Sequence, residues 1–559
     1  MRYLYFILIL LICLSCQQSQ NPKNSAAVAD ETLQQERKLP VKQLSKKDLL
    51  DLPMTNKKTL VAHFMTGDVD YDFGARPGGL SRNKSWYFAD GEFSKFGGLN
   101  QVAPMDMFLY ERGERSLQEV VLQDLRAAHV AGLEAFHFYY PEVNHAGFMK
   151  NYNKVISTFF EMGAKHYPNF KFTLCLSNAN QGNEDEQIAR WSKSIKELLK
   201  TVNQYDAWLK TPDGRIIFYL WNNDALADVM QGKAWSIDQY PERIEAVAKA
   251  HDKLADKLGV QIAFMYDLRF PANLALTKKA LEYFPGVWTW TDSTKHFDNF
   301  RKTAALCRRE KRDFCLTVYP DYYTSKLYWK NRSKGHGMLH YNELKSASLN
   351  ELERHYQNCG LSALYRQLFD FAIEQDLDWI SLATWNDFPE GHHIAPELNH
   401  NFAPMVLMEY YRKQWRKNNK KIEESLSVFY KKYKHDVKPK FDMKIYTKET
   451  MGPESLEDYI EVVSILQEAG DIYINGKFAA RVQAGLQSTK IASEVGEVRV
   501  TLKRHEKVCL SLKPPVKISD QPYRSDRLTY MYSTRFSEYF RKIFGEEHEV
   551  PSLIEPIVN

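Results

Sequence analysis

Short apolar runs punctuate the chain at 59–65 (TLVAHFM), 134–140 (EAFHFYY), 171–177 (KFTLCLS) and 215–221 (RIIFYLW). They recur at 261–267 (QIAFMYD), 286–292 (GVWTWTD), 313–320 (DFCLTVYP) and 378–387 (DWISLATWND). Each has the length of a strand, and near-continuous apolarity predicts parallel strands covered on both faces. The stretches between them carry helical spacing. Ser116–Gly132 sets Val120, Val121, Leu125, Ala128 and Val130 on an apolar stripe that stops at Gly132. The same periodicity runs through 188–202, 241–258 and 361–375. Strand–helix alternation repeated eight times predicts a (β/α)8 TIM-type barrel over 57–435, with an open, doubly wound sheet as the alternative. The run at 286–292 also reads as a loop.

The pattern changes after Tyr430. A lysine-rich stretch (Lys431, Lys432, Lys434, Lys438, Lys440) marks a boundary, and alternating runs follow at 442–447, 459–466, 471–474, 478–483, 497–502 and 508–512. Asn475-Gly476 between two of them is a hairpin signal. These features predict a small C-terminal β-sandwich over 436–530. Tyr523–Gly545, with rings at Tyr532, Phe536, Tyr539 and Phe544, reads as a helix folded back onto the body, followed by a tail to 559.

The first residues follow another logic. Met1-Arg2, the mostly apolar run Tyr3–Leu14 and then Ser15-Cys16 resemble a bacterial lipoprotein signal over 1–15, in which Cys16 is lipidated and becomes the new N-terminus. An ordinary secretory signal is the alternative. Polar residues 16–56 lack periodicity and read as a flexible tether. The expectation is an exported protein, lipid-anchored to a bacterial membrane on its periplasmic or cell-surface face, and a monomer.

Composition narrows the function. Hydrophobic residues at 44% and charged residues at 26% exclude a mainly disordered or collagenous chain. A net charge of +5 on 559 residues excludes a dedicated nucleic-acid binder. Beyond the signal, Cys175, Cys307, Cys315, Cys359 and Cys509 show neither paired spacing nor a zinc signature, and no cofactor or metal is called for.

In a barrel of this kind the chemistry sits at the C-terminal strand ends. Those ends carry Asp68, Tyr139, Tyr140, Asn178, Asn180, Trp221, Asn222, Asn223, Asp224, Tyr266 and Asp267. Further round come Trp288, Trp290, Asp292, Tyr319, Asp321, Tyr322 and Tyr323, then Trp385 through His393. Carboxylates, amides and flat rings around one rim suit a sugar, whose hydroxyls need acceptors and donors and whose C–H faces pack on aromatic rings. Tyr266, Trp288 and Tyr319 are candidate substrate-binding residues on this ground. Taken singly, strand-end Asp and Asn more often cap helices or make turns.

Asp387 and Glu390 stand three residues apart, flanked by the turn-forming Pro389 and Gly391. Glycoside hydrolysis needs one protonated and one ionised carboxyl group, and two neighbouring carboxylates in a cleft separate their pKa values accordingly. The string Thr384-Trp385-Asn386-Asp387-Phe388-Pro389-Glu390-Gly391-His392-His393-Ile394 resembles the T-W-N-D-[FY]-G-E-S-H-Y-I segment of glycoside hydrolase family 71, the α-1,3-glucanases or mutanases. Val61-Ala62-His63-Phe64-Met65-Thr66-Gly67 is similar to that family's V-F-A-H-F-M-V-G, and Asp124 through Phe136 matches a third pattern in part. The resemblance plausibly covers about residues 57–420.

It implies a (β/α)8 barrel that hydrolyses an α-linked glucan with inversion at the anomeric centre. By position, Glu390 would be the general acid and Asp387 the general base, or the reverse. His63, Trp385, Asn386 and His392 would line the cleft beside the scissile bond. Pro389 stands where the family has glycine, and Gly391-His392-His393 replaces S-H-Y. The middle strands match poorly, so another α-linked polysaccharide such as α-mannan stays open as substrate. A catalytically inactive glycan-binding lipoprotein is the alternative from another class. A metal hydrolase built on His63, His392, His393 and Asp387 lacks the H-x-H of such barrels, because Phe64 and Met65 follow His63.

Overall fold

The computed structural model describes residues 46–68, 93–98, 102, 104–110, 114–177, 182–221, 237–268, 272–291, 297–334, 339, 341–418, 420–448 and 456–548. Cys16, Asn178, Asn180, Asn222, Asn223, Asp224 and Asp292 lie outside the described residues. The chain divides into two units, 1–49 and 50–559. Of the first, 46–49 are described, within a helix of Lys46–Leu50. Everything below concerns the second. No helix among the described residues is long and apolar enough to cross a membrane.

All eight apolar runs form strands: Thr59–Phe64, Ala135–Pro141, Lys171–Ser177, Ile216–Leu220, Ile262–Asp267, Gly286–Trp288, Asp313–Val318 and Trp379–Leu382. They close into a parallel barrel, the first pairing with both the second and the last. Closure rules out the doubly wound sheet. The run 286–292 shrinks to three residues, yet it pairs on both sides.

Parity along each strand divides two cores. Leu60, Ala62, Phe64, Phe136, Phe138, Phe264 and Tyr266 face the surrounding helices. Val61, Ala135, Cys175, Tyr219, Met265, Trp288 and Trp379 fill the barrel interior. Because successive side chains alternate, this parity fixes which strand-end residues face the axis. The helix Leu117–Ala131 shows how the outer layer is pinned. Ser116 and Glu119 form a reciprocal capping box, and Gly132 ends the helix at φ 82° with its N–H on the Ala128 and His129 carbonyls. Its stripe of Val120, Val121, Leu125 and Ala128 is buried, the larger side chains each contributing roughly 1.5–3 kcal/mol.

Between the seventh and eighth barrel strands the chain makes an insertion, in which Tyr328–Trp329 pairs antiparallel with Leu352–Gln357. Lys444–Lys448 adds to this small sheet in parallel, so the run at 442–447 does not join the sandwich. The sandwich itself has two antiparallel four-stranded sheets. One runs Gly485–Ala492, Tyr459–Leu466, Ser425–Lys431, Thr529–Ser533; the other Lys477–Val482, Gly470–Ile474, Val500–Arg504, Lys507–Leu512. Its first strand begins at Ser425. Asn475 (φ 51°) and Gly476 (φ 77°) turn the expected hairpin, both in the left-handed region. The helix expected over 523–545 is shorter, Phe536–Phe544. Thr529–Ser533 is a buried strand, because its β-branched and aromatic residues complete the sheet beside Ser425–Lys431.

Candidate active site

The last barrel strand ends at Leu382, and the chain turns sharply at Phe388–Glu390. Asp387 caps this turn, its Oδ1 accepting the Glu390 N–H at 3.2 Å, and its own N–H donates to Thr384 Oγ1 at 2.8 Å. Pro389 fits the first turn of the short helix, where no N–H is needed. Gly391 leaves it at φ 74°, and a Cβ there would stand 2.5 Å from the Tyr323 carbonyl oxygen. The local sequence therefore sets both carboxylates at one end of the barrel.

Glu390 accepts from three side chains: Lys326 Nζ at 2.5 Å, Tyr322 Oη at 3.1 Å and His392 Nε2 at 3.3 Å. Asp387 Oδ2 lies 3.9 Å from the same His392 nitrogen. Burial would raise both acids. For Glu390, the Lys326 ammonium and His392 outweigh burial and hold the carboxyl well below its ordinary value. For Asp387, burial wins, the neighbouring Glu390 charge adds to it, and the carboxyl sits above its ordinary value despite Lys326. The pair thus divides into one firmly ionised group and one inclined to keep its proton. The Lys326 and Glu390 side chains are each 20% exposed, so the ion pair opens to the cleft instead of lying sealed beneath it.

Rings surround the pair. His392 stacks on Tyr322 at 5.5 Å and meets Trp290 edge-on at 5.9 Å. Trp290 touches His63 at 5.0 Å and Trp221 at 5.4 Å, and Trp221 touches Tyr139 at 6.2 Å. Tyr139, Trp221 and Trp290 are partly exposed and present ring surface at the strand ends. His63 lies deeper, its Nδ1 3.2 Å from His137 Nδ1, while His137 Nε2 reaches Ser381 Oγ at 2.8 Å. Burial lowers the His63 pKa to about 3, which leaves the ring neutral.

Of the residues expected to bind substrate, the structure brings His63 and His392 to the pair. Trp288 is on the axis but at the floor, fully buried, with its Nε1–H on the Leu220 carbonyl at 2.8 Å. Four others point elsewhere. Tyr266 has outer parity and stacks on Phe284 at 4.6 Å. Tyr319 is buried in the outer core, donating to Gln357 Oε1 at 3.0 Å. Trp385 is turned outward against Phe136, and its Nε1–H donates to Asp124 Oδ1 at 2.9 Å. Asn386 spends both ends of its amide on the Met65 backbone, accepting at 2.7 Å and donating at 3.2 Å. Trp385 and Asn386 therefore fasten the catalytic turn instead of lining it.

Lys326 was not legible as a site residue, since it comes from the insertion with no motif around it. Trp290, Trp221, Tyr139 and Tyr322 carried the strand-end signal; parity would have selected the first three. Asp387, Glu390 and His392 offer ligand atoms within 4.8 Å of one another. Glu390 already has a cation on it, however, and the arrangement suits proton transfer better than ion binding.

The sequence profile described as Glycosyl hydrolase family 71 matches residues 360–530. It takes in the Asp387–Glu390 segment and runs on through the sandwich, without reaching the motifs at the first two strands. No curated protein sequence matches the chain. Among solved structures, the GH99 endo-alpha-mannosidase from Bacteroides thetaiotaomicron is 14% identical with a TM-score of 0.43, over 65% of this chain and 99% of that one. The endo-beta-1,4-mannanase from Thermotoga petrophila is 9% identical with a TM-score of 0.36, over 71% and 94%. Likenesses this distant carry no argument, and the barrel rests on its own strand order. The family match and the sequence motif coincide on the segment that bears both carboxylates, and they make this chain a glycoside hydrolase related to family 71.

Proposed function

We propose that the protein hydrolyses α-1,3-glucan, with Asp387 and Glu390 as its acid–base pair. The observation that carries this reading is the division of charge between them: Lys326, Tyr322 and His392 all attend Glu390, while Asp387 is left with the proton. Asp387 is then the general acid that protonates the leaving oxygen, and Glu390 the base. This exchanges the roles that position alone assigned. Trp290, Trp221 and Tyr139 supply flat surface for the sugar C–H faces.

The stereochemistry has two readings. The resemblance favours inversion, in which water sits between carboxyl groups roughly 6.5–9.5 Å apart. The nearest oxygens of this pair lie within 4.8 Å. Such closeness favours retention through a covalent intermediate, which needs about 5–5.5 Å. The test is a panel of α-linked glucans and mannans assayed for new reducing ends, with the first-formed anomer read by NMR. α-1,3-Glucan cleavage is the expected result; activity on mannan alone, or on no glycan, overturns the substrate. A fluoride leaving group needs no protonation, so Asp387→Asn is expected to retain turnover on α-glucosyl fluoride. If Glu390→Gln alone retains it, the roles are the reverse.

Export with a lipid on Cys16 belongs to the same proposal, since a polysaccharide is met outside the cytoplasm. Cys16→Ser is expected to move the protein from the membrane to the soluble fraction; unchanged membrane recovery removes the anchor.

A further inference from the structure

Beyond the catalytic turn the chain runs inward, and His393, Glu397 and His400 come together with essentially no solvent exposure. Neither ring nitrogen of His393 has a hydrogen-bond partner, and neither does Nδ1 of His400. Buried polar atoms are nearly always satisfied, so three orphaned imidazole nitrogens in one cluster call for a cause. The two rings stack at 4.7 Å and 19°, with the Glu397 carboxylate at their edge. Glu397 Oε1 stands 3.6 Å from His393 Nε2 and 3.7 Å from His400 Nδ1. A tetrahedral zinc ion with bonds of about 2.0–2.1 Å has ligand–ligand edges of about 3.3–3.4 Å, close to both separations.

We propose that His393, Glu397 and His400 bind a structural divalent metal ion of the zinc class. The site is distinct from the catalytic pair, and the proposal does not depend on the glycan chosen above. His400 Nε2 lies 3.4 Å from Asp321 Oδ2, which leaves Nδ1 directed at Glu397. A histidine that ligates through one nitrogen while the other is oriented by a carboxylate is a recurrent metal-site arrangement. Charge points the same way. Glu397 is buried and ionised, its carboxyl held below the ordinary value against the effect of burial, and no Lys or Arg pairs with it among the described residues. Burial lowers the His393 pKa to about 4, so the ring is the neutral form that ligates. The ion would tie the segment leaving the catalytic turn to the sandwich, where the Met531 N–H already bonds the Asn399 carbonyl at 2.8 Å.

The test uses the full chain without a polyhistidine tag, dialysed against zinc and then passed over chelating resin. About one zinc per chain is expected by mass spectrometry, with an X-ray absorption spectrum showing two imidazoles and oxygen. His400→Ala and Glu397→Gln are expected to abolish retention, and Asp321→Asn to weaken affinity by about 10–100-fold. Wild-type protein that emerges without zinc, or zinc that survives both ligand substitutions, overturns the site. If the variants fail to fold, the wild-type spectrum still decides, because a metal shell without imidazole also overturns it.

Discussion

The segment that leaves the last barrel strand has two halves with opposite electrostatics. In the front half, around Asp387 and Glu390, the buried charge is answered: Glu390 has an ammonium, a phenol and an imidazole on its two oxygens. In the back half, around His393 and His400, buried nitrogens go unanswered. Both halves are equally rich in His and acid, so residue type does not separate them. What separates them is the neighbour supplied by a distant part of the chain: Lys326 from the insertion in front, Asp321 and the sandwich behind. Burial alone does not make a catalytic group. Burial combined with a charge that breaks the symmetry of a carboxylate pair does.

The sharpest way to break the contrast is to remove the front pair. Asp387→Asn and Glu390→Gln are each expected to lower kcat on the natural polysaccharide by about 10²–10⁴-fold with the fold intact by circular dichroism. Normal turnover in both would leave the pair without a role.

Lys326→Met tests the symmetry-breaking charge itself. Activity is expected to fall on the acid side as Glu390 takes a proton and on the alkaline side as Asp387 loses one. Lys326 is the strongest of the influences that lower Glu390, so its loss moves the acid limb upward, by at least about one pH unit. A pH–rate profile with an unmoved acid limb would show that Glu390 is not the titrating base.

Trp385→Phe separates fastening from lining. It leaves Asp124 without its indole donor, which costs about 1–3 kcal/mol and lowers Tm, while kcat/KM at temperatures below the melt stays near wild type. A large loss of kcat/KM in folded protein would return Trp385 to the cleft. Smallest of all is Tyr266→Phe, where outer parity predicts kcat/KM within about twofold of wild type; a KM effect on glucan would contradict the strand register.

The barrel was legible because each strand is a compact apolar run and each helix between them keeps its period, down to the capping box at Ser116 and the stop at Gly132. The carboxylate pair was legible because it lies in one contiguous motif with Pro389 and Gly391. Their wall was only half legible. Strand-end rings were visible as a set, but Tyr266 and Trp290 could not be told apart until alternation along the strands fixed which faces the axis. Trp385 and Asn386 sit inside the motif, yet their side chains hold the turn to Asp124 and Met65. Lys326 had no local signal at all, since its meaning comes from a contact with Glu390 that the chain makes only when folded.

The strand Lys444–Lys448, laid in parallel on Leu352–Gln357, has a consequence for how such enzymes are inherited. It belongs by sequence to the C-terminal region and by pairing to the insertion that delivers Lys326. Tyr323 and Asp321, just upstream of that lysine, are likewise held by the Ser525 carbonyl and the Thr529 N–H. A polypeptide ending at residue 435 would forfeit these ties. The C-terminal sheets are therefore not an exchangeable appendage, and selection must pass them on with the barrel as a single heritable whole.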